Sequence, residues 1–292
     1  MIPKQQPYFI SNQNKAMLRA MMARRAVHPV NLLITGKHGL GKSMLARQIA
    51  AIWKLDYVPV PICSLQEVGQ LMGHPEFDQK SVFIPSEFVK AMRRPDTVIH
   101  LEELNRPESP KALGDLFPLL DDTRGIWHES LGEVNVAPGV VFIGTLNEGF
   151  EYSGIDPLDE ALRDRFFMMR LDYLPNKIES TLVNMNTGLV GDAVDSLLDL
   201  VNRLRNNTKE PIHISTRRVL MMAELAKEGL PLREAFTTCI GSDPDKLESV
   251  LIELDTMGNR IKPYRDITPE NNALPWAPGE PTIKHGYELL SI

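Results

Sequence analysis

Eight residues, Gly36-Lys37-His38-Gly39-Leu40-Gly41-Lys42-Ser43, constrain this chain more than any others. They fit the pattern G-x-x-x-x-G-K-[ST]. Val30-Asn31-Leu32-Leu33-Ile34-Thr35 before them is an apolar, β-like run, and Met44 to Trp53 after them carries apolar residues at helical spacing. Strand, glycine-rich loop and helix in that order predict a phosphate-binding loop. Glycines let the backbone curl until several N–H groups point at one anion, and the following helix adds the positive end of its dipole. The cradle expected here runs through Gly36, His38, Gly39, Leu40, Gly41, Lys42, Ser43 and Met44. Lys42 is expected on the β- and γ-phosphates, and the Ser43 hydroxyl on Mg²⁺.

A second stretch, Thr97-Val98-Ile99-His100-Leu101-Glu102-Glu103-Leu104-Asn105-Arg106, leads mostly apolar residues into two carboxylates. A buried parallel strand delivers such acids at its C-terminal end, where ligands bind in open α/β folds. Glu102 is expected to hold the Mg²⁺ shell, and Glu103 to polarise a water for attack on the γ-phosphate. A third apolar run, Val140 to Asn147, ends in an amide. Asn147 at that strand end would hold the attacking water beside Glu103; a turn asparagine ahead of Gly149 is the plain alternative. Around these strands the pattern predicts helices over 12–25, Ser64 to Leu71, Ser86 to Arg93, Ser109 to Leu120 and within Leu158 to Phe166. It predicts hairpin strands at Ser81 to Ile84 and on either side of Leu131-Gly132, and a last strand from Phe166 to Leu171. Tyr57 to Ile62, with its alternating prolines, reads as an edge strand. Phe9 and Ile10 either border a nucleotide base or pack in the core.

Beyond Pro175 the pattern turns all-helical. Ile178, Leu182 and Met185 share one face, and Val194, Leu197, Leu198 and Val201 share another. Val219, Met222, Ala223 and Ala226 follow Ser215, and a last helix runs from Asp243 towards Gly258. Prolines at 263, 269, 275, 278 and 281 mark an extended tail that packs on the body or on a neighbour. The expected segments are a lead and helix (1–28), an α/β nucleotide core (29–173), a helical lid (174–258) and the tail (259–292). A net charge of −6 weighs against a chain that coats nucleic acid, although Lys90, Arg93 and Arg94 form a local basic cluster. No run approaches 18 apolar residues, and the first residues lack an apolar signal core, so the expectation is a cytoplasmic protein without membrane insertion. Cys63 and Cys239 are expected to be buried, reduced thiols.

The order of these parts resembles the AAA+ ATPases. Within them it is similar to the MoxR and dynein-related branch, which includes the Q-type activators of rubisco and nitric oxide reductase and the small ATPase subunit of cobaltochelatase. Glu102 to Arg106 is similar to that branch's D-E-I-N-R, and Leu158 to Phe166 to its L-x-E-A-x-x-D-R-F. Residues 73–84 and the hairpin before Val140 match its insertions, and the resemblance covers about 29–258. It implies a P-loop NTPase three-layer sandwich with a parallel central sheet, followed by a small all-α lid, and ATP with Mg²⁺ as ligands. It makes Glu103 the catalytic carboxylate and Asn147 the first sensor. Arg165, or else Arg163, becomes the finger that reaches a neighbouring subunit's γ-phosphate, and Arg217 the second sensor. Fingers supplied in trans imply a ring, expected to be a homo-hexamer, that remodels a protein client. A partner with a von Willebrand A domain is also implied. A low-turnover ATP-binding switch, a chelatase motor subunit and a nucleic-acid-directed motor are the alternatives. One position departs from the family: its first acid is Asp, and here it is Glu102. The extra methylene moves the carboxylate by more than ~1 Å, which bears on the hydrolysis rate.

Overall fold

The computed structural model describes residues 1–25, 27–78, 80–147, 158–207, 211–240, 250–252, 255 and 286–290. The chain divides into two compact units. One comprises Met1–His38, Lys42–Leu171 and Ile283–Ile292; the other comprises Gly39–Gly41 and Asp172–Thr282.

The first unit contains β1 (Phe9–Ser11), α1 (Asn12–Arg25), β2 (Asn31–Gly36), α2 (Lys42–Trp53), β3 (Asp56–Pro61), β4 (Gly73–Asp78) and β5 (Lys80–Pro85). There follow α3 (Glu87–Met92), β6 (Thr97–Glu102), α4 (Leu116–Leu120), β7 (Gly125–His128), β8 (Gly132–Asn135), β9 (Val141–Asn147), α5 (Glu160–Arg163) and β10 (Phe167–Arg170). Five strands form one parallel sheet in the order β10-β2-β9-β6-β3. Its inner strands are near-continuous apolar runs because both faces are covered. On one face Leu32, Val98 and Ile143 meet Leu18 of α1 and Leu45 and Ile49 of α2. On the other, Leu33, Ile99 and Phe142 meet Phe88 of α3 and Leu116 and Leu119 of α4. This is the three-layer P-loop sandwich. β3 lies at the sheet's edge, where Pro59 and Pro61 leave no central ladder position without its N–H. β4 with β5, and β7 with β8, are antiparallel hairpins.

The second unit packs α6 (Asn176–Thr187), α7 (Asp192–Arg205), α8 (Thr216–Lys227) and α9 (Leu232–Ile240) around Val183, Leu197, Val201, Met222 and Phe236. A buried ion pair sits inside it. Arg205 donates to both Glu179 oxygens, at 2.7 and 3.0 Å, and Thr216 Oγ1 donates to Oε1 at 3.0 Å. Ser215 caps α8 by accepting from the Arg218 amide at 3.3 Å. The chain then returns to the first unit as β11 (Tyr287–Leu289), antiparallel to β1 with Phe9 opposite Leu289.

Several sequence expectations are corrected. Ser64 to Leu71 is not a helix: a single 3-10 turn, Ile62–Ser64, is all that forms. Leu65 and Leu71 both point inward from a non-helical path, and Gly69 takes a left-handed φ of 82° between them. The helix expected over Ser109 to Leu120 is broken into a 3-10 turn, Pro110–Leu113, and the short α4. On α6 the buried residues are Ile178, Glu179, Val183 and Thr187, with Leu182 and Met185 only half-buried, because the face is turned to seat the Glu179–Arg205 pair. Cys63 is exposed and Cys239 half-buried; at Cys63 the neighbouring Ile62 takes the inward position of the turn. Phe9 and Ile10 are buried, and Ile10 belongs to the core between α1 and the sheet. Of the helix expected from Asp243 towards Gly258 only 250–252 and 255 are described, and they are helical, with Val250 buried in the second unit's core; the rest of it and most of the tail lie outside the described residues. Among those described, no helix is long and apolar enough to cross a membrane.

Candidate functional site

β2 ends at Gly36, and the loop after it needs glycine: φ is 142° at Gly36, 72° at Gly39 and 85° at Gly41. α2 then opens at Lys42, which is 7% exposed, with Ser43 and Met44 exposed beside it and His38 and Leu40 half-buried. The Lys42 ammonium donates to the carbonyls of Gly36 at 2.8 Å and Lys37 at 2.7 Å, and to Asn147 Oδ1 at 2.7 Å. The last contact follows from sheet register, because Gly36 of β2 lies opposite Asn147 of β9. Sheet order thus joins the loop lysine to an amide 105 residues away in sequence.

β6 brings the two carboxylates to the same end of the sheet. Glu103 stands in the left-handed region, with φ 53°. For a residue with a Cβ that costs on the order of 1 kcal/mol, and such strain persists only where the surroundings impose it. Here the Arg106 amide donates to the Glu103 carbonyl at 2.9 Å, and the Leu104 amide to the Thr145 carbonyl of β9 at 2.9 Å. The Glu103 carboxylate accepts from Arg106 Nη1 at 3.2 Å. Asn105, buried in the same turn, donates to the Asn147 carbonyl at 3.2 Å. Asn147 is therefore held at both of its oxygens. Glu102 is half-buried; burial, and then the neighbouring Glu103 charge, push its carboxyl above the usual carboxylate range.

The two arginines after β9 differ in their surroundings. Asp159 caps α5 by accepting from the amides of Ala161 at 2.8 Å and Leu162 at 3.2 Å. Arg165 donates to the Ala161 carbonyl at 2.6 Å and to Asp121 at 3.0 Å, and lies 5.2 Å from the centre of the Phe117 ring. Arg163 is exposed, and its side chain makes no hydrogen bond or ion pair among the described residues; its amide donates to the Asp159 carbonyl at 2.9 Å. Arg217, in the second unit, is exposed in the first turn of α8.

The sheet therefore gathers Lys42, Asn147, Glu102 and Glu103 at the C-terminal ends of β2, β9 and β6. Sequence reasoning gave no part to Asn105, which bonds Asn147, or to Tyr57, His100 and Thr145, which bond one another across β3, β6 and β9. The available signal was a histidine inside an otherwise apolar strand. A lysine, a glycine loop and a helix start suit a polyphosphate. The Ser43 hydroxyl and Glu102 carboxylate are hard oxygen donors of the kind Mg²⁺ takes. No group of three or more His, Cys, Asp or Glu that could hold a metal exists among the described residues.

A family model for the AAA domain of the dynein-related subfamily matches residues 31–166, and one for the CbbQ/NirQ/NorQ C-terminal region matches 179–250. A protein of Thauera aromatica named "Putative chaperone BssE" is 41% identical over 255 residues, covering 87% of this chain and 89% of its own. An uncharacterized protein of Staphylococcus epidermidis (strain ATCC 12228) is 30% identical over 231 residues, covering 75% of this chain and 84% of its own. A solved structure of a RuvB mutant from Thermotoga maritima aligns over 84% of this chain and 69% of that one, at 17% identity and a TM-score of 0.45.

Proposed function

The chain belongs to the dynein-related, MoxR-like branch of the AAA+ ATPases, and from that premise we propose that it is an ATP-hydrolysing motor that remodels a protein client as an oligomeric ring. The observation that carries this reading is the contact of Lys42 with both the loop carbonyls and Asn147. It joins the phosphate lysine to the end of the sensor strand, beside the two carboxylates. A bound polyphosphate gives the Lys42 ammonium a stronger acceptor than those carbonyls. Ser43 and Glu102 would hold Mg²⁺, which neutralises charge on the β- and γ-oxygens when bound. Glu103 orients the attacking water, and Asn147 fixes it from the other side. An exposed arginine from a neighbouring subunit steadies the charge that develops on the transferred group. Arg163 has the freer side chain for that reach, Arg165 the place in the family motif. Arg217 reads the γ-phosphate from the lid.

A client surface is available on the two hairpins. Phe83 of β5 and His128 of β7 pack with tilted rings whose centroids are 4.8 Å apart, and Trp127 and Val82 are 71% and 54% exposed. Exposed aromatic and aliphatic side chains on paired hairpins suit contact with an unfolded or flexible protein segment. The name of the Thauera relative supports a protein client. A homo-hexameric ring and a von Willebrand A partner belong to the same reading by family likeness.

The test is ATP hydrolysis per subunit against protein concentration, for the wild type and for Glu103→Gln. The expected result is a rate that climbs with concentration, and a variant that binds ATP but does not turn it over. A second reading, a low-turnover ATP switch, is favoured by Glu102 in place of Asp and by the Arg106 contact that occupies Glu103. Tight ATP binding with a flat, near-zero wild-type rate would establish that reading and sink the motor.

A further inference from the structure

His100 is out of place in an apolar interior strand of a parallel sheet, yet it is wholly buried. Its ring is bonded on both sides. Nδ1 lies 2.7 Å from the Tyr57 hydroxyl of β3, and Nε2 lies 3.0 Å from Thr145 Oγ1 of β9. Arg47 of α2 completes the row: its guanidinium lies over the Tyr57 ring, 5.4 Å from its centre. Four elements are thus tied by one polar row beneath α2. Strand alternation places His100 on the same face as Glu102, and Thr145 on the same face as Asn147. A leucine or valine would fill the position of His100 without the cost of burying polar groups, so the row calls for an account beyond packing.

The row has one open end, and Glu102 stands at it. Glu102 Oε1 is 3.5 Å from His100 Nδ1, just beyond hydrogen-bond length. Bonded at both ring nitrogens, the imidazole and the phenol beside it form a fixed polar wall. A glutamate reaches that wall; an aspartate at the same backbone position stops short of it by more than ~1 Å.

We propose that Tyr57 and His100 are positioning residues for Glu102: the imidazole–phenol pair, anchored by Thr145 and Arg47, is a lateral seat that sets where the longer carboxylate stands. This rests on reading Glu102 as a carboxylate of the Mg²⁺ shell. Residues that orient a metal ligand from behind change metal affinity by about tenfold or more when removed, and leave other ligand contacts in place. The seat also accounts for a glutamate where the family has aspartate, because acid and seat match in length.

The experiment uses the full chain and titrates Mg²⁺ against binding of a non-hydrolysable ATP analogue, followed by calorimetry. Tyr57→Phe keeps the ring and removes the hydroxyl. It is expected to raise the Mg²⁺ concentration at half-maximal binding about tenfold, with binding in excess chelator unchanged. In a Glu102→Asp background the same change is expected to shift the midpoint less than about twofold, since the shorter acid does not reach the seat. His100→Gln provides a second route and is expected to raise the midpoint in the same direction. An unchanged midpoint in both single variants, or an equal shift in the two backgrounds, would overturn the seat. Wild-type binding that does not depend on Mg²⁺ would overturn the metal reading of Glu102, and the seat with it.

Discussion

Arg163 and Arg165 stand two residues apart, and their surroundings predict different losses. Arg165 is tied to Asp121 and stacked on Phe117, and it holds the Asp121 carboxyl below the usual range. Arg165→Ala is expected to lower the melting temperature by a few degrees, through loss of its packing on Phe117 and its pairing with Asp121, as well as any turnover. Arg163→Ala is expected to leave the melting temperature within about a degree, since it removes nothing bonded. If Arg163 is the trans finger, the same change lowers hydrolysis by about 10³-fold. Thermal melts and turnover on the two variants separate the roles, and normal turnover in Arg163→Ala would remove it as the finger. His100 makes a prediction in pH. Burial, and then Arg47, hold its folded pKa down at about 4. The unfolded chain takes up that proton below about pH 6.5. Unfolding therefore binds a proton between those values, and stability falls as the pH drops from about 6.5 to 4, by up to roughly 3 kcal/mol. Denaturant titrations across that window should show the fall in wild type and a shallower one in His100→Gln.

Among the elements, β11 turns out to be the least visible from sequence and one of the more consequential. Leu290 is 3% exposed and packs in the core with Ile10 and Leu18, and Glu288 meets Lys15 at 2.8 Å, the Lys15 side chain being 4% exposed. Glu288→Ala leaves that ammonium buried without its carboxylate and is expected to cost about 2–3 kcal/mol, while Glu288→Gln, which keeps an acceptor oxygen, costs less. Chemical denaturation of the two variants checks the order; equal losses would make the charge irrelevant. The glycine loop, the strand that leads into Glu102 and Glu103 and the strand that ends at Asn147 could be read in advance because each carries its signal locally, in glycine spacing or in an apolar run that ends in a polar residue. β11 carries no such signal: three residues, Tyr287–Leu289, find a partner 280 positions upstream. Ser64 to Leu71 misled for the opposite reason. Ser64 stands where a helix cap would, yet its hydroxyl donates to the Pro61 carbonyl at 2.9 Å, and Leu65 and Leu71 enter the core from a turn. The row from Arg47 to Thr145 was out of reach because only the sheet order, β9-β6-β3, puts its members side by side.

At the scale of the molecule, the first unit is discontinuous in sequence and the second interrupts it. A fragment of residues 1–171 should therefore fold with β1 unpaired and with Lys15 lacking its carboxylate. A synthetic peptide of residues 283–292 is expected to raise that fragment's melting temperature in a saturable way, and a peptide with the Glu288→Ala change to do so more weakly. No rise with either peptide would mean that β11 adds nothing to the unit's stability. The same topology has a consequence for biosynthesis. Ribosomes extend a chain at roughly 5–20 residues per second. β1 thus waits tens of seconds for a mate 280 residues downstream. Throughout that delay Phe9 and Ile10 lack their final cover, and every helix of the second unit is translated in the meantime. The nucleotide-binding half begins first and is completed last.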